Sequence, residues 1–530
     1  VIRARKTKTG DLLPPPRDLG LPFDQWRPGQ ERTLLKMAGA DRRFIGLSAP
    51  TGTGKTLLGQ AWAALCGWKR MAALTATRGL QDQQAHDMPL VDVRGMANYP
   101  CVVLMDKAGI PKIKGGGGKY THEPWSYRCD RGPCRGGEKC ELAFGGCAYF
   151  DQVRAACAAG RVGTNYSYFL AMHLYSTGLG EFDGLVADEA HSIPEELERA
   201  FTIEISEEET HSWRLSPTPR RPDIIFWREW AEANIALLPP DKDASPEDVR
   251  RLRMLRGKVE RLKALRGKWI AQEGRAGVWA VIPVWPGKEF AGALWRESAR
   301  VVLSSATLTP KALDLLGLKP EEVEWVECES PFPIGNRLVT WVPTTRVDSR
   351  TDFARPWIRR IDQIINGRLD RKGIVHTVSY DRADLLIRSS AFAHIMFANR
   401  SARETKDVVA RFKAAPAPAV LVSPSVVSGY DFIGDLAEYQ VIGKIPFPDS
   451  RSGIMKARTE DDKEYPYYLA AQDLVQSAGR INRQAADVGE TIIVDDHWAW
   501  FKKRASAFFP RFFRQAMRVS DTLPHPPARK

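Results

Sequence analysis

The chain has 530 residues, of which 43% are hydrophobic and 27% charged. That excludes a disordered protein and exceeds what one core organises, so two to four domains are expected. The net charge of +13 favours a polyanionic partner, and no apolar run is long enough to cross a bilayer, so no membrane partner is expected.

Residues 1–22 read as a flexible leader, basic and then Pro-rich, with no apolar segment of the secretory kind. A cytoplasmic protein is therefore expected, and in a reducing compartment its eight cysteines read as metal ligands before disulfides. An apolar strand over Arg43–Ser48 runs into a Gly-rich turn and a helix over Lys55–Cys66; Met71–Leu74 and Gly184–Ala187 are further strands. Two stretches interrupt this rhythm. The first, from about residue 98, is rich in Cys, Gly and aromatics, with Gly115–Gly118 as a flexible tip. The second, over 192–295, reads as charged and helical. There Ser245 is an N-cap with Pro246 in the first turn and Asp248 at N3, and Val249, Leu252, Leu255, Val259 and Leu262 line one helical face. After Val301 the rhythm resumes with strands at Gly373–Thr377, Ala419–Ser423, Tyr439–Gly443 and Thr491–Asp495, which form a separate lobe. Strands alternating with helices predict an α/β fold with parallel sheets.

Between the first strand and its helix stands Ala49-Pro50-Thr51-Gly52-Thr53-Gly54-Lys55-Thr56. Gly52, Thr53 and Gly54 let the backbone wrap a phosphate at a helix N-terminus. Lys55 supplies charge to the β/γ-phosphates of ATP, and the Thr56 hydroxyl is a Mg²⁺ ligand. Asp188-Glu189-Ala190-His191 follows a buried strand. Asp188 is the expected metal ligand there, and Glu189 the group that orients and deprotonates the attacking water. His191 is expected to bridge this site to the other lobe. Farther on, Gln476, Arg480 and Arg483 lie in one segment, with the arginines at i, i+3 on one helical face. They suit transition-state charge supplied across a cleft.

Taken in order, these motifs resemble the superfamily 2 helicases, and within them the DinG/XPD-like iron–sulfur group with its DEAH box. The resemblance runs from about Phe23 to Pro510. It implies two RecA-like P-loop lobes with parallel sheets, plus a cysteine-rich iron–sulfur insertion and a helical, arch-like insertion in the first lobe. The implied boundaries are 23–97, 163–191 and 296–330 for the first lobe, 98–162 for the cluster domain, 192–295 for the arch-like insertion and 331–530 for the second lobe. Arg27 and Gln30 look like the adenine-reading element. Thr75 and Thr77 resemble motif Ia, and with Tyr166 and Tyr380 are the expected nucleic-acid contacts. Ser304–Thr307 resembles motif III, which couples hydrolysis to movement, and Ser379-Tyr380 stands at motif IV. Gly429-Tyr430-Asp431 resembles motif V, with Gly429 and Asp431 at the nucleotide, and Lys444–Pro448 resembles the family's Pro-Phe-Pro segment. Ser428 before Gly429 departs from the family pattern, as does His376 where motif IV more often has an aromatic.

Five of the eight cysteines, Cys101, Cys129, Cys134, Cys140 and Cys147, fall in the first interruption. In the resemblance Cys101 is the first cluster ligand and Cys147 the last, with Cys134 and Cys140 between them and Cys129 as the alternative to Cys134. Four thiolates suit a 4Fe–4S cluster, and tetrahedral zinc is the competitor. Tyr120, Trp125, Tyr127 and Tyr149 could stack on bases in this domain. The implied activity is ATP-dependent unwinding of DNA with 5′→3′ translocation on single-stranded and forked DNA, in repair, replication or mobile-element biology. An RNA–DNA hybrid is a further candidate substrate, and a monomer is expected. The alternative is a strand-stimulated ATPase effector that remodels a nucleoprotein complex without processive unwinding.

Overall fold

A computed structural model describes residues 13–109, 127–136, 140–296, 298–348, 351–424, 430, 432–482 and 487–528. Five strands open the chain: β1 (Phe44–Ser48), β2 (Met71–Thr75), β3 (Val91–Asp92), β4 (Arg161–Asn165) and β5 (Phe182–Asp188). Next come β6 (Ile203–Ser206), β7 (Trp269–Arg275) and β8 (Val278–Pro283), then β9 (Ser298–Ser305) and β10 (Val323–Glu327). The remainder carries β11 (Val339–Thr345), β12 (Lys372–His376), β13 (Met396–Ala398), β14 (Ala419–Ser423), β15 (Tyr439–Ile442), β16 (Glu490–Asp495) and β17 (Met517–Val519).

Fourteen of these strands make two seven-stranded parallel sheets. The first has the order β10-β1-β9-β5-β2-β4-β3 and the second β13-β14-β12-β15-β16-β11-β17. Phe44–Ser48, Met71–Thr75 and Ala419–Ser423 are buried at every position, which is why they read as unbroken apolar runs rather than alternating ones. The helix Lys55–Leu65 covers the first sheet with Leu57, Leu58, Ala61 and Trp62, and the Trp62 indole donates to the Met37 carbonyl at 3.0 Å. The leader does not behave as one over 13–22: Leu13 and Leu21 are 2% and 3% exposed and pack in the cluster that holds Leu34 and Trp62. Residues 1–12 lie outside the described residues.

The second insertion is only partly helical, contrary to expectation. β6, β8 and β7 form an antiparallel sheet, with Gly277 in the left-handed region at the β7–β8 turn. Strands this short, with Trp and Val interleaved among charges, give weak periodicity beside a long amphipathic helix. That helix, Pro246–Lys263, starts as its sequence dictates, with Asp248 N–H donating to Ser245 Oγ at 3.2 Å. Leu252, Leu255, Val259 and Leu262 are fully buried against Trp227, Trp230 and Trp279. Each such burial contributes roughly 1.5–3 kcal/mol before entropic costs.

The insertion also docks on the second lobe. Arg458, from the helix Gly453–Asp461, donates to the Val284 carbonyl at 2.8 Å and pairs with Glu198. Nearby, Asp461 accepts from the Trp285 indole at 3.0 Å and pairs with Lys268. No described helix is long and apolar enough to cross a membrane.

Candidate nucleotide site and cysteine domain

Register brings the site together. β1, β9 and β5 are neighbours, with Ser48 opposite Ser305 and Asp188 opposite Ser304, so the phosphate loop, the Ser-Ser pair and the acidic box leave one edge of the sheet. Gly52 and Gly54 have φ of 77° and 78°, the left-handed conformations that let the loop curl. A Cβ on Gly54 would also stand 2.7 Å from Gln30 Nε2. Gln30, 2% exposed, donates to the Thr53 carbonyl at 2.8 Å, while its Oε1 accepts from the Arg27 amide at 2.8 Å. The Arg27 guanidinium donates to the Gly52 carbonyl at 3.1 Å. The expected adenine-reading pair thus lies on the phosphate loop. No side chain caps the helix that begins at Lys55, which leaves its N-terminal dipole facing the loop's concavity.

Behind the loop, Lys55 Nζ stands 3.2 Å from Glu189 Oε1, and Thr56 Oγ donates to Asp188 Oδ2 at 2.9 Å. Asp188 also accepts from Ser304 Oγ at 3.2 Å and from the Glu189 amide at 2.9 Å. Burial pushes the Asp188 carboxyl up from its ordinary value, opposed by Lys55. Burial acts in the same sense on Glu189, but Lys55 and His191 together overcome it and hold that carboxyl well below the usual range. Glu189 therefore stays ionised, facing a cation. Its backbone is in the left-handed region, at φ 50°, unusual for a non-glycine residue and a conformation that costs on the order of 1–3 kcal/mol. An uncapped helix end, a lysine, a hydroxyl and two carboxylates fit the phosphates of ATP and a Mg²⁺ ion.

His191 departs from the expected role. Its Nδ1 is 2.7 Å from Ser305 Oγ and 3.3 Å from Glu189 Oε2, so among the described residues its hydrogen bonds stay within the first lobe. The bridge to the second lobe is made one step later. Ser305 Oγ is 3.2 Å from Thr307 Oγ1, which accepts from Gln476 Nε2 at 3.3 Å. A second bridge, missed in the sequence, runs from Thr51 Oγ1 in the phosphate loop to the Asn482 carbonyl at 3.2 Å. Asn482 is held in turn by the Asn336 carbonyl at 2.9 Å. Its only sequence signal was proximity to Arg480.

Arg480 is not on a helical face, because the helix Tyr465–Ala478 ends before it with Gly479 as its cap. Arg480 donates to the Tyr430 carbonyl at 3.3 Å. Arg483, Gly429 and Asp431 lie outside the described residues.

Of the expected nucleic-acid contacts, Thr77 is exposed and caps the helix Arg78–Asp87, and Tyr380 begins a helix capped by Ser379. Thr75 is 1% exposed. Tyr166 is fully buried, and its hydroxyl donates to the Asp188 carbonyl at 2.7 Å. Neither can touch a strand; Tyr166 instead braces the acidic box. Tyr149 is buried too, its hydroxyl 3.1 Å from that of Tyr168, while Tyr120 and Trp125 lie outside the described residues.

In the cysteine domain, Cys101 and Cys129 are buried and Cys134, Cys140 and Cys147 half-buried. Cys129 Sγ is 4.0 Å from Cys147 Sγ, and a Cβ on Gly132 would meet Cys101 Sγ at 2.9 Å. Burial raises the Cys129 thiol, with further upward pressure from Cys147 and Cys101. Cys134 is raised by burial and then by Cys140, Cys147 and Cys101. Thiols so placed are neutral unless a cation stabilises them as thiolates. Among the described residues, no group of three or more His, Cys, Asp or Glu is set to hold a metal ion.

Residues 370–516 match the helicase C-terminal domain family model. A search of curated protein sequences finds no significant match. Among solved structures, the chain is similar to an XPD helicase with TM-score 0.60 and 15% identity, covering 94% of this chain and 100% of that one. Xpd4 of S. tokodaii gives TM-score 0.56 and 13% identity, covering 93% and 100%. An apo XPD gives TM-score 0.52 and 14% identity, covering 90% and 98%.

Proposed function

We propose that the chain is an XPD-like superfamily 2 helicase that couples ATP hydrolysis to 5′→3′ translocation on single-stranded DNA, unwinding forked duplexes, a reading supported by its fold and by the helicase C-terminal domain match. The observation that carries this reading is the hydrogen-bonded chain from Glu189 through Ser305 and Thr307 to Gln476, which joins the hydrolytic edge of one lobe to a helix of the other. Lys55 and the helix N-terminus hold phosphate charge, Thr56 and Asp188 would hold Mg²⁺, and Glu189 accepts a proton from the attacking water. Mg²⁺, when bound, neutralises charge between the β- and γ-phosphates. Loss of γ-phosphate contacts would release Glu189 and His191, and Ser305 and Thr307 would pass that shift to Gln476. Arg480 and Arg483 are proposed to supply charge when the lobes close, with Gly429 and Asp431 beside the nucleotide. Thr77 and Tyr380, from the two lobes, are proposed to grip the strand.

The test is displacement of a labelled strand from a forked duplex in the presence of ATP. Unwinding that requires a 5′ single-stranded tail is the expected result, and turnover without displacement would overturn the helicase reading.

Within the cysteine domain, the reading is a 4Fe–4S cluster held by Cys101, Cys147, Cys140 and one of Cys129 and Cys134. Thiolate donors suit iron, and a small Gly-rich insertion needs a staple to hold its shape. The proximity of Cys129 to Cys147 supports Cys129 as a ligand more than its place in the sequence does. Iron content of anaerobically purified Cys129→Ser and Cys134→Ser chains tests this, with the larger loss expected in Cys129→Ser. Zinc in place of iron would contradict the cluster.

A further inference from the structure

The end of the second sheet that carries Tyr380 carries a second feature, which the hydrolytic site does not use. β12, β15 and β16 are parallel neighbours, so their C-terminal ends open on the same side. Phe447 follows β15, the helix His497–Ala505 follows β16 and brings Trp500, and the helix Tyr465–Ala478 adds Tyr467. The three rings meet: Tyr467 and Trp500 at 5.3 Å between centroids, Phe447 and Tyr467 at 5.9 Å, and Phe447 and Trp500 at 6.1 Å. Phe447 is anchored from beneath by the fully buried Phe501 at 5.3 Å. Trp500 is nonetheless 43% exposed. The Arg504 guanidinium lies 5.1 Å from its ring and 5.6 Å from that of Tyr467, whose hydroxyl it reaches at 3.3 Å. Lys502 and Lys503 are exposed beside it, and among the described residues none of the three cations is paired with a carboxylate.

We propose that Phe447, Tyr467, Trp500 and Arg504 form a base-stacking platform for single-stranded nucleic acid, with Lys502 and Lys503 on its phosphates. The proposal rests on the helicase reading and extends the strand's path across the second lobe beyond the Tyr380 loop. A rigid group of rings held by an inner Phe loses little entropy when a base stacks on it, and stacking tolerates every base, as translocation requires. Lysines without carboxylate partners match a phosphate backbone, in keeping with the chain's net charge of +13. An acidic protein surface would satisfy the cations but gives no reason for an exposed indole held edge-on by Tyr467 beneath a guanidinium.

The experiment uses the full chain and two labelled strands at fixed salt: an oligothymidylate and the same sugar–phosphate backbone without bases, followed by fluorescence anisotropy. Trp500→Ala is expected to weaken oligothymidylate binding by about five- to tenfold or more, as loss of one stacked base does, and to leave base-free binding unchanged. Trp500→Phe keeps most of the affinity. A Lys502→Glu/Lys503→Glu chain loses affinity for both strands and has a salt dependence flatter by about two phosphates. Tyr175→Ala, at an exposed ring at the far end of a first-lobe helix, binds as the parent does and serves as the control. Equal oligothymidylate affinity in Trp500→Ala and the parent, or an equal loss on both strands, overturns the platform alone. A parent chain that binds neither strand overturns the helicase reading with it.

Discussion

Glu189 faces Lys55 across 3.2 Å from a left-handed backbone, and the residue that fixes its neighbour's carbonyl is Tyr166. An aromatic at the start of a helix invites a base-stacking reading, yet this one is fully buried with its hydroxyl on Asp188 O. The sequence gives residue types and spacing but not which way a ring turns, and a Tyr hydroxyl satisfies a buried carbonyl as readily as it meets solvent. Tyr166→Phe keeps the ring and removes one buried hydrogen bond. It is expected to cost about 1 kcal/mol of stability in urea unfolding and to leave strand affinity unchanged. A loss of strand affinity at unchanged stability would restore Tyr166 to the strand path. Lys55, Thr56, Asp188 and Glu189 were legible because each is tied to the end of a strand whose identity the apolar run already marks.

At the scale of elements, the buried strands were readable, and the polar groups tucked into them were not. His376 ends β12 fully enclosed, its Nε2 3.0 Å from Gln440 Oε1 and its Nδ1 without a partner among the described residues. Burial pushes its imidazole down to about 4, so the folded chain keeps it neutral where the unfolded chain takes up a proton near 6.5. In that window the unfolded state binds more protons, so stability falls as pH drops from about 6.5 towards 4. Between pH 8 and pH 5 this one group should cost about 2 kcal/mol. Urea midpoints at the two pH values check it: the acid-side loss should shrink in His376→Phe, and an undiminished loss would show that other groups carry it. Helix ends were a second blind spot. Arg480 was expected on a helical face, but Gly479 closes the helix first, as glycine favours at a C-terminus. The β6–β8–β7 sheet was hidden because short, half-buried strands compete poorly with a long helical stripe for any periodicity signal.

For the whole molecule, the two parallel sheets followed from strand–helix alternation, because that pattern admits few other architectures. What no linear pattern carries is how the lobes touch. Gln476 on Thr307, and Asn482 on Thr51, join residues more than a hundred positions apart, and both contacts lie at the edge where phosphate charge would change during turnover. Such an edge is proposed to hydrolyse ATP in response to a bound strand. Steady-state ATP turnover of Glu189→Gln and the parent, with and without single-stranded DNA, tests it most directly. The expected result is a parent whose turnover rises with the strand, and a Glu189→Gln chain at least about a hundredfold slower that binds the strand as tightly. Unimpaired turnover in Glu189→Gln would contradict it.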